Sequence, residues 1–139
     1  MSGRMHGPVP TVGKIVGCRF PHEENPNTPG DKFRPAFVCA VSQSMEDPFP
    51  RLKVIYGTAQ NTSVQAGHVK NEPWHFELEP GGSNQLTQQT RFDCSRFVWL
   101  PFTPEWFGFS DTSKMCKTYG EASKDRHEEI RAAIKSVAN

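Results

Sequence analysis

Twelve prolines and eleven glycines are spread along 139 residues, and they leave little room for long regular elements. Proline lacks a backbone donor and is tolerated at the first residue of a strand, not in its middle. Pro21, Pro35, Pro48, Pro50, Pro73, Pro80 and Pro101 therefore cut the chain into short segments, and five of these read as strands. In Val12–Phe20, Val16, Cys18 and Phe20 alternate with Gly17 and Arg19, the mark of a half-buried strand. Ala36–Val41 is a continuous apolar run, as in a central strand, and Leu52–Tyr56 alternates and stops at Gly57. Trp74, Phe76 and Leu78 alternate with His75, Glu77 and Glu79, and Phe92–Leu100 is apolar and aromatic. Short strands in succession, separated by turn residues such as Pro80-Gly81-Gly82, predict a mainly β chain folded as a small barrel or sandwich.

The tail has a different period. Ile130, Ala133, Ile134 and Val137 recur at helical spacing, which predicts one amphipathic helix over 121–138 packed on the barrel. The first eleven residues, rich in Gly and Pro, read as a loose arm, and His22–Lys32 as a long polar loop. The length suits one domain over residues 1–139 with a core that needs no disulfide staples. The net charge of +1 gives no global basic field, so any nucleic-acid contact must come from a local cluster. Cys18, Cys39, Cys94 and Cys116 show no CxxC pairing, so no structural metal is expected and the thiols read as reduced. Cys18 and Cys39 fall in apolar runs as small hydrophobes. No apolar run approaches the roughly 20 residues that span a bilayer, and a cytoplasmic location is expected.

Chemistry concentrates at a few positions. Gly30-Asp31-Lys32-Phe33-Arg34-Pro35-Ala36-Phe37-Val38 puts an arginine at the mouth of a strand, its backbone restricted by the following proline. Tyr56-Gly57-Thr58-Ala59-Gln60 ends the next strand with a hydroxyl. In Thr90-Arg91-Phe92-Asp93 a cation and a carboxylate stand two apart, on one face of a strand. His22 lies beside Glu23 and Glu24 in the first long loop. Taken singly, each has an ordinary reading: a solvated arginine, a turn-capping threonine, a surface ion pair, an exposed histidine.

Together, from about Val12 to about Phe107, they resemble the toxin family that includes MazF, PemK and Kid, small endoribonucleases of bacterial toxin–antitoxin pairs. The resemblance implies an SH3-like barrel with a C-terminal helix, a homodimer, and cleavage of single-stranded RNA by its own 2′-hydroxyl, with no metal or other cofactor. It implies that Arg34 and Thr58 stabilise charge at the scissile phosphate and that Asp93 is the base. Arg91, whose pKa above about 12 makes it a poor proton donor, is assigned to electrostatic stabilisation. His22 would position the phosphate or shuttle a proton, and Lys32, Gln60 and Arg19 would bind substrate. A cognate antitoxin segment, disordered and acidic when free, would occupy the groove between two protomers. The rival reading is a non-catalytic binding module on the same barrel, a gyrase inhibitor of the CcdB type or a nucleic-acid-binding domain, since fold alone does not fix activity. Trp99 is expected in the core, and the Trp106-Phe107 patch over a barrel end or at an interface.

Overall fold

A computed structural model describes residues 4–59, 71–110 and 112–138. The strands are β1 (Lys14–Cys18), β2 (Arg34–Ser42), β3 (Arg51–Thr58), β4 (His75–Leu78), β5 (Thr90–Pro101) and β6 (Thr118–Glu121). The helices are a single turn, α1 (Pro104–Phe107), and the C-terminal α2 (His127–Ala138). The strands form one antiparallel sheet in the order β4-β5-β3-β2-β1-β6. It curls into a half-barrel because the turn after β4 reaches the opposite edge. Asn84 bridges Gly120, the Gln85 amide donates to the Tyr119 carbonyl (2.7 Å), and the Glu121 amide donates to the Ser83 carbonyl (3.1 Å). The chain is thus mainly β, with a barrel-like sheet and a C-terminal helix, as its punctuation by Pro and Gly requires.

Strand alternation sends apolar side chains to both faces of the sheet. One face gathers Ile15, Phe37, Ile55, Phe76 and Phe92 beneath Ile130 and Ala133 of α2. Phe76 stacks on Phe92 at 5.0 Å and meets Phe37 edge-on at 5.3 Å; such pairs are worth about 0.5–1.5 kcal/mol beyond their burial. The other face gathers Val16, Cys18, Ala36, Val38, Val54 and Leu100, closed by Phe102, Trp106 and Phe107 around α1. The Trp106 patch therefore covers one end of this second core. Trp99, expected in the core, is 41% exposed. It opposes Lys53, two residues beyond Phe97, which lines the rim beside Ile134 and Val137 of α2.

Three further differences from the sequence reading have local causes. Helix α2 begins at His127 because Glu121 belongs to β6 and Lys124–Arg126 form a 3₁₀ turn. Arg126 from that turn donates to the Glu77 carbonyl (2.5 Å) and pairs with Glu79 (2.9 Å). Residues 4–10 are held against the body: Met5 packs on the second core and the His6 amide donates to the Lys114 carbonyl (2.8 Å). Cys39 is half-buried rather than fully enclosed, whereas Cys18 is fully buried.

Candidate active site

Register decides which side chains can meet. Strand β2 pairs with β1 through Cys18↔Arg34 and with β3 through Ala36↔Tyr56, so Arg34 and Thr58 stand at the same end of the β2–β3 pair. Thr58 directly opposes Arg91 of β5, and Arg91 opposes Glu77 of β4. Directly opposed residues share a face. Arg34, Thr58, Arg91 and Glu77 thus form a row across four strands. At about 4.8 Å per strand, the two arginines start about 10 Å apart with the threonine between them. A second row, one pleat along, is Tyr56, Asp93 and His75.

A wide bulge shapes this second row. Ile55 and Tyr56 are consecutive, yet they pair with Phe97 and Asp93, so residues 94–96 bow out of the ladder. The bow turns Ser95 back on Asp93, whose Oδ1 accepts from the Ser95 amide (2.9 Å) and hydroxyl (2.5 Å). It also lays Arg96 over the Tyr56 ring, 4.0 Å from its centroid, where Glu23 of the β1–β2 loop pairs with it at 3.5 Å. Bulges commonly re-aim side chains in this way.

Two cross-strand pairs between β4 and β5 line the site. Arg91 and Glu77 are both buried, with Nε 3.6 Å from Oε2, an ion contact too long for a hydrogen bond. Nε and Nη2 of Arg91 have no hydrogen-bond partner, and Glu77 also accepts from the Gln89 side-chain amide. His75 Nε2 lies 3.8 Å from Asp93 Oδ2, with both side chains largely enclosed. The Glu72 amide donates to His75 Nδ1 at 3.0 Å.

The sequence-derived residues divide accordingly. Arg34, Thr58, Arg91 and Asp93 come together on one sheet face at the ends of β2, β3 and β5. The pairing of Arg91 differs from the exposed Arg91–Asp93 contact that i, i+2 spacing suggests: Arg91 is buried against Glu77, and Asp93 turns to Ser95 and His75. His22 sits in the β1–β2 loop, 64% exposed, 3.5 Å from Asp31. Arg19, at the end of β1, lies over the Phe33 ring at 5.2 Å, and Lys32 is exposed just before β2. Gln60 lies outside the described residues. His75, Glu77 and Arg96 were missed, because their partners come from other strands. The one available signal was the period-two placement of His75 and Glu77. Among the described residues no three His, Cys, Asp or Glu side chains gather as a metal site would require. No described helix is long and apolar enough to cross a membrane.

No family model and no curated protein matches the chain. Among solved structures, the fold is similar to one described as "Endoribonuclease from Mycobacterial species". The TM-score is 0.54 at 11% identity, over 96% of this chain and 94% of that one. At that identity the likeness speaks for the fold, along nearly the whole length of both chains.

Proposed function

We propose that this protein is an endoribonuclease that cleaves single-stranded RNA by attack of a 2′-hydroxyl on the adjacent phosphate. The observation that carries the reading is the row of Arg34, Thr58 and Arg91 beside Asp93 on one sheet face. The fold it shares with a structure described as an endoribonuclease supports it. A binding module would have no need of a base set next to three phosphate-directed groups.

The substrate supplies the nucleophile. Asp93 Oδ1 is saturated by Ser95, so Oδ2 is the oxygen that takes the 2′-hydroxyl proton. The O2′–P bond forms and the P–O5′ bond breaks, its electron pair leaving on O5′, which takes a proton from water. Negative charge grows on the non-bridging oxygens in between, where Arg34 and the Thr58 hydroxyl offset it at close range and the buried Arg91 adds its positive field from behind them. Donors preorganised at such a position contribute about 3–4 kcal/mol each. The products are a 2′,3′-cyclic phosphate and a 5′-hydroxyl.

We assign the biological role by the same reading: a growth-inhibiting toxin, working as a homodimer and neutralised by a cognate antitoxin. Incubation of purified protein with single-stranded RNA in EDTA tests the chemistry. Cleavage to cyclic-phosphate ends is expected. Absence of cleavage, or cleavage restored only by Mg²⁺, rules out this mechanism.

A further inference from the structure

His75 has no part in the motifs that suggested the site, yet it directly opposes Asp93, the proposed base. Its ring is fixed by a backbone contact: the Glu72 amide donates to Nδ1 at 3.0 Å, so Nδ1 carries no proton. The neutral imidazole then has its hydrogen on Nε2, the ring nitrogen 3.8 Å from Asp93 Oδ2. Asp93 is fixed as well, through both Ser95 donors on Oδ1, with Oδ2 left as an acceptor. One donor and one acceptor thus face each other at 3.8 Å, on directly opposed residues of β4 and β5.

That gap is too long for a direct hydrogen bond and short enough for one oxygen to bridge. An oxygen about 2.8 Å from both atoms would subtend about 85°, and a tetrahedral angle needs the pair about 4.6 Å apart, so the two side chains part by about 0.8 Å to take it in. A hydroxyl suits such a pair, because it accepts with a lone pair while donating its hydrogen. A ribose 2′-hydroxyl is the group that distinguishes RNA from DNA by these same capacities.

We propose that His75 Nε2–H and Asp93 Oδ2 form the recognition cradle for the ribose 2′-hydroxyl at the cleavage position. His75 is a substrate-positioning and specificity residue: it selects ribose over deoxyribose and holds O2′ with its proton directed at Asp93. The inference rests on the nuclease reading for the identity of the sugar, and its test is independent of cleavage.

The probes are ribonucleoside 3′-monophosphates and their 2′-deoxy counterparts, which carry the sugar and phosphate of the cleavage position but no bond to cut. Titrations followed by the His75 imidazole nitrogen resonances give both the tautomer and the affinities. In the free protein the proton should reside on Nε2. Wild-type protein should bind the ribo form about tenfold more tightly than the deoxy form, the scale of one hydrogen bond in an enclosed site. His75→Ala should bring the ratio close to one, and His75→Gln, whose amide still donates, should restore part of it. Backbone amide spectra of both variants would establish that they are folded. A wild-type ratio near one, a ratio that survives His75→Ala, or no binding of either nucleotide at millimolar concentration overturns the proposal. Ribose discrimination in a protein that cuts no RNA would sink the nuclease reading alone, and RNA cleavage without discrimination would sink this inference alone.

Discussion

Gly57 stands against the backbone of Pro35 so closely that a methyl group on its α-carbon would sit 2.6 Å from the Pro35 carbonyl oxygen. The same methyl would meet Phe92 Cε1 at 2.7 Å. This contact presses β3 onto β2 between Arg34 and Thr58, so a glycine is required there for steric reasons. Gly57→Ala should destabilise the fold by about 1–3 kcal/mol, the usual cost of overpacking a close contact. It should also lower RNA cleavage by spreading Arg34 from Thr58. Urea denaturation reads the first effect; an unchanged midpoint would show that β2 yields without cost.

Glu77 and Arg91 offer a sharper stability test. Both are buried, and removing one charge leaves the other enclosed without its counter-ion. Glu77→Ala should cost about 3–5 kcal/mol, more than the loss of an exposed pair. Glu79→Ala, at the exposed partner of Arg126, should cost under about 1 kcal/mol. Equal midpoints for the two variants would contradict the buried pairing.

Arg34 begins β2 half-buried, on the row that faces the proposed phosphate. Arg34→Ala should lower kcat by about 10²–10³-fold and change KM by much less, because its donors act on charge that appears in the transition state. Parallel losses in RNA affinity and turnover would make Arg34 a substrate clamp instead.

Asp93→Asn keeps the shape and hydrogen-bonding reach of the side chain and removes its basicity. The variant should therefore lose about 10²–10⁴-fold in kcat while binding RNA nearly as tightly as the wild type. A variant that keeps its rate would transfer the base role to another group.

The thiols predict how stability depends on pH. Burial pushes the Cys18 thiol strongly upward, and pushes Cys94 and Cys116 up to about 12. In the unfolded chain a cysteine loses its proton near pH 8.5. Above that pH the unfolded state holds fewer protons than the native state, so stability falls as pH rises. The contribution is complete below about pH 8 and declines between about pH 9 and 12. Urea titrations at pH 7.5 and 10 should show a lower midpoint at the higher pH. Replacing Cys94 and Cys116 with Ala should shrink the difference.

The elements that could be read from the chain are those whose cause is local. Proline positions and period-two apolarity delimit β2, β3, β4 and β5 to within two residues at each end, and the spacing of Ile130, Ala133, Ile134 and Val137 marks the buried side of α2. Strand β6 was not legible. Thr118-Tyr119-Gly120-Glu121 has no apolar alternation and is recruited by pairing with β1 and by the Lys14–Glu121 ion pair. The site divides along the same line. Arg91 and Asp93 were legible together because two residues of one strand share a face. His75 and Glu77 were not, since their partners are set by the β4–β5 register, which a loop between the strands fixes and no local pattern reveals.

Strand β4 is four residues long, lies at the end of the strand order, and has β5 as its one ladder partner among the described residues. It carries His75 and Glu77, half of each cross-strand pair. A short edge strand opens more readily than the interior of a sheet, by local fluctuations that leave the rest of the fold intact. Catalytic competence and bulk foldedness should therefore separate. Amide hydrogens of 75–78 should exchange faster than those of β2 and β3. With mild denaturant or warming, RNA cleavage should fade while the circular dichroism signal still reports a folded chain, because the site comes apart at its edge before the sheet does.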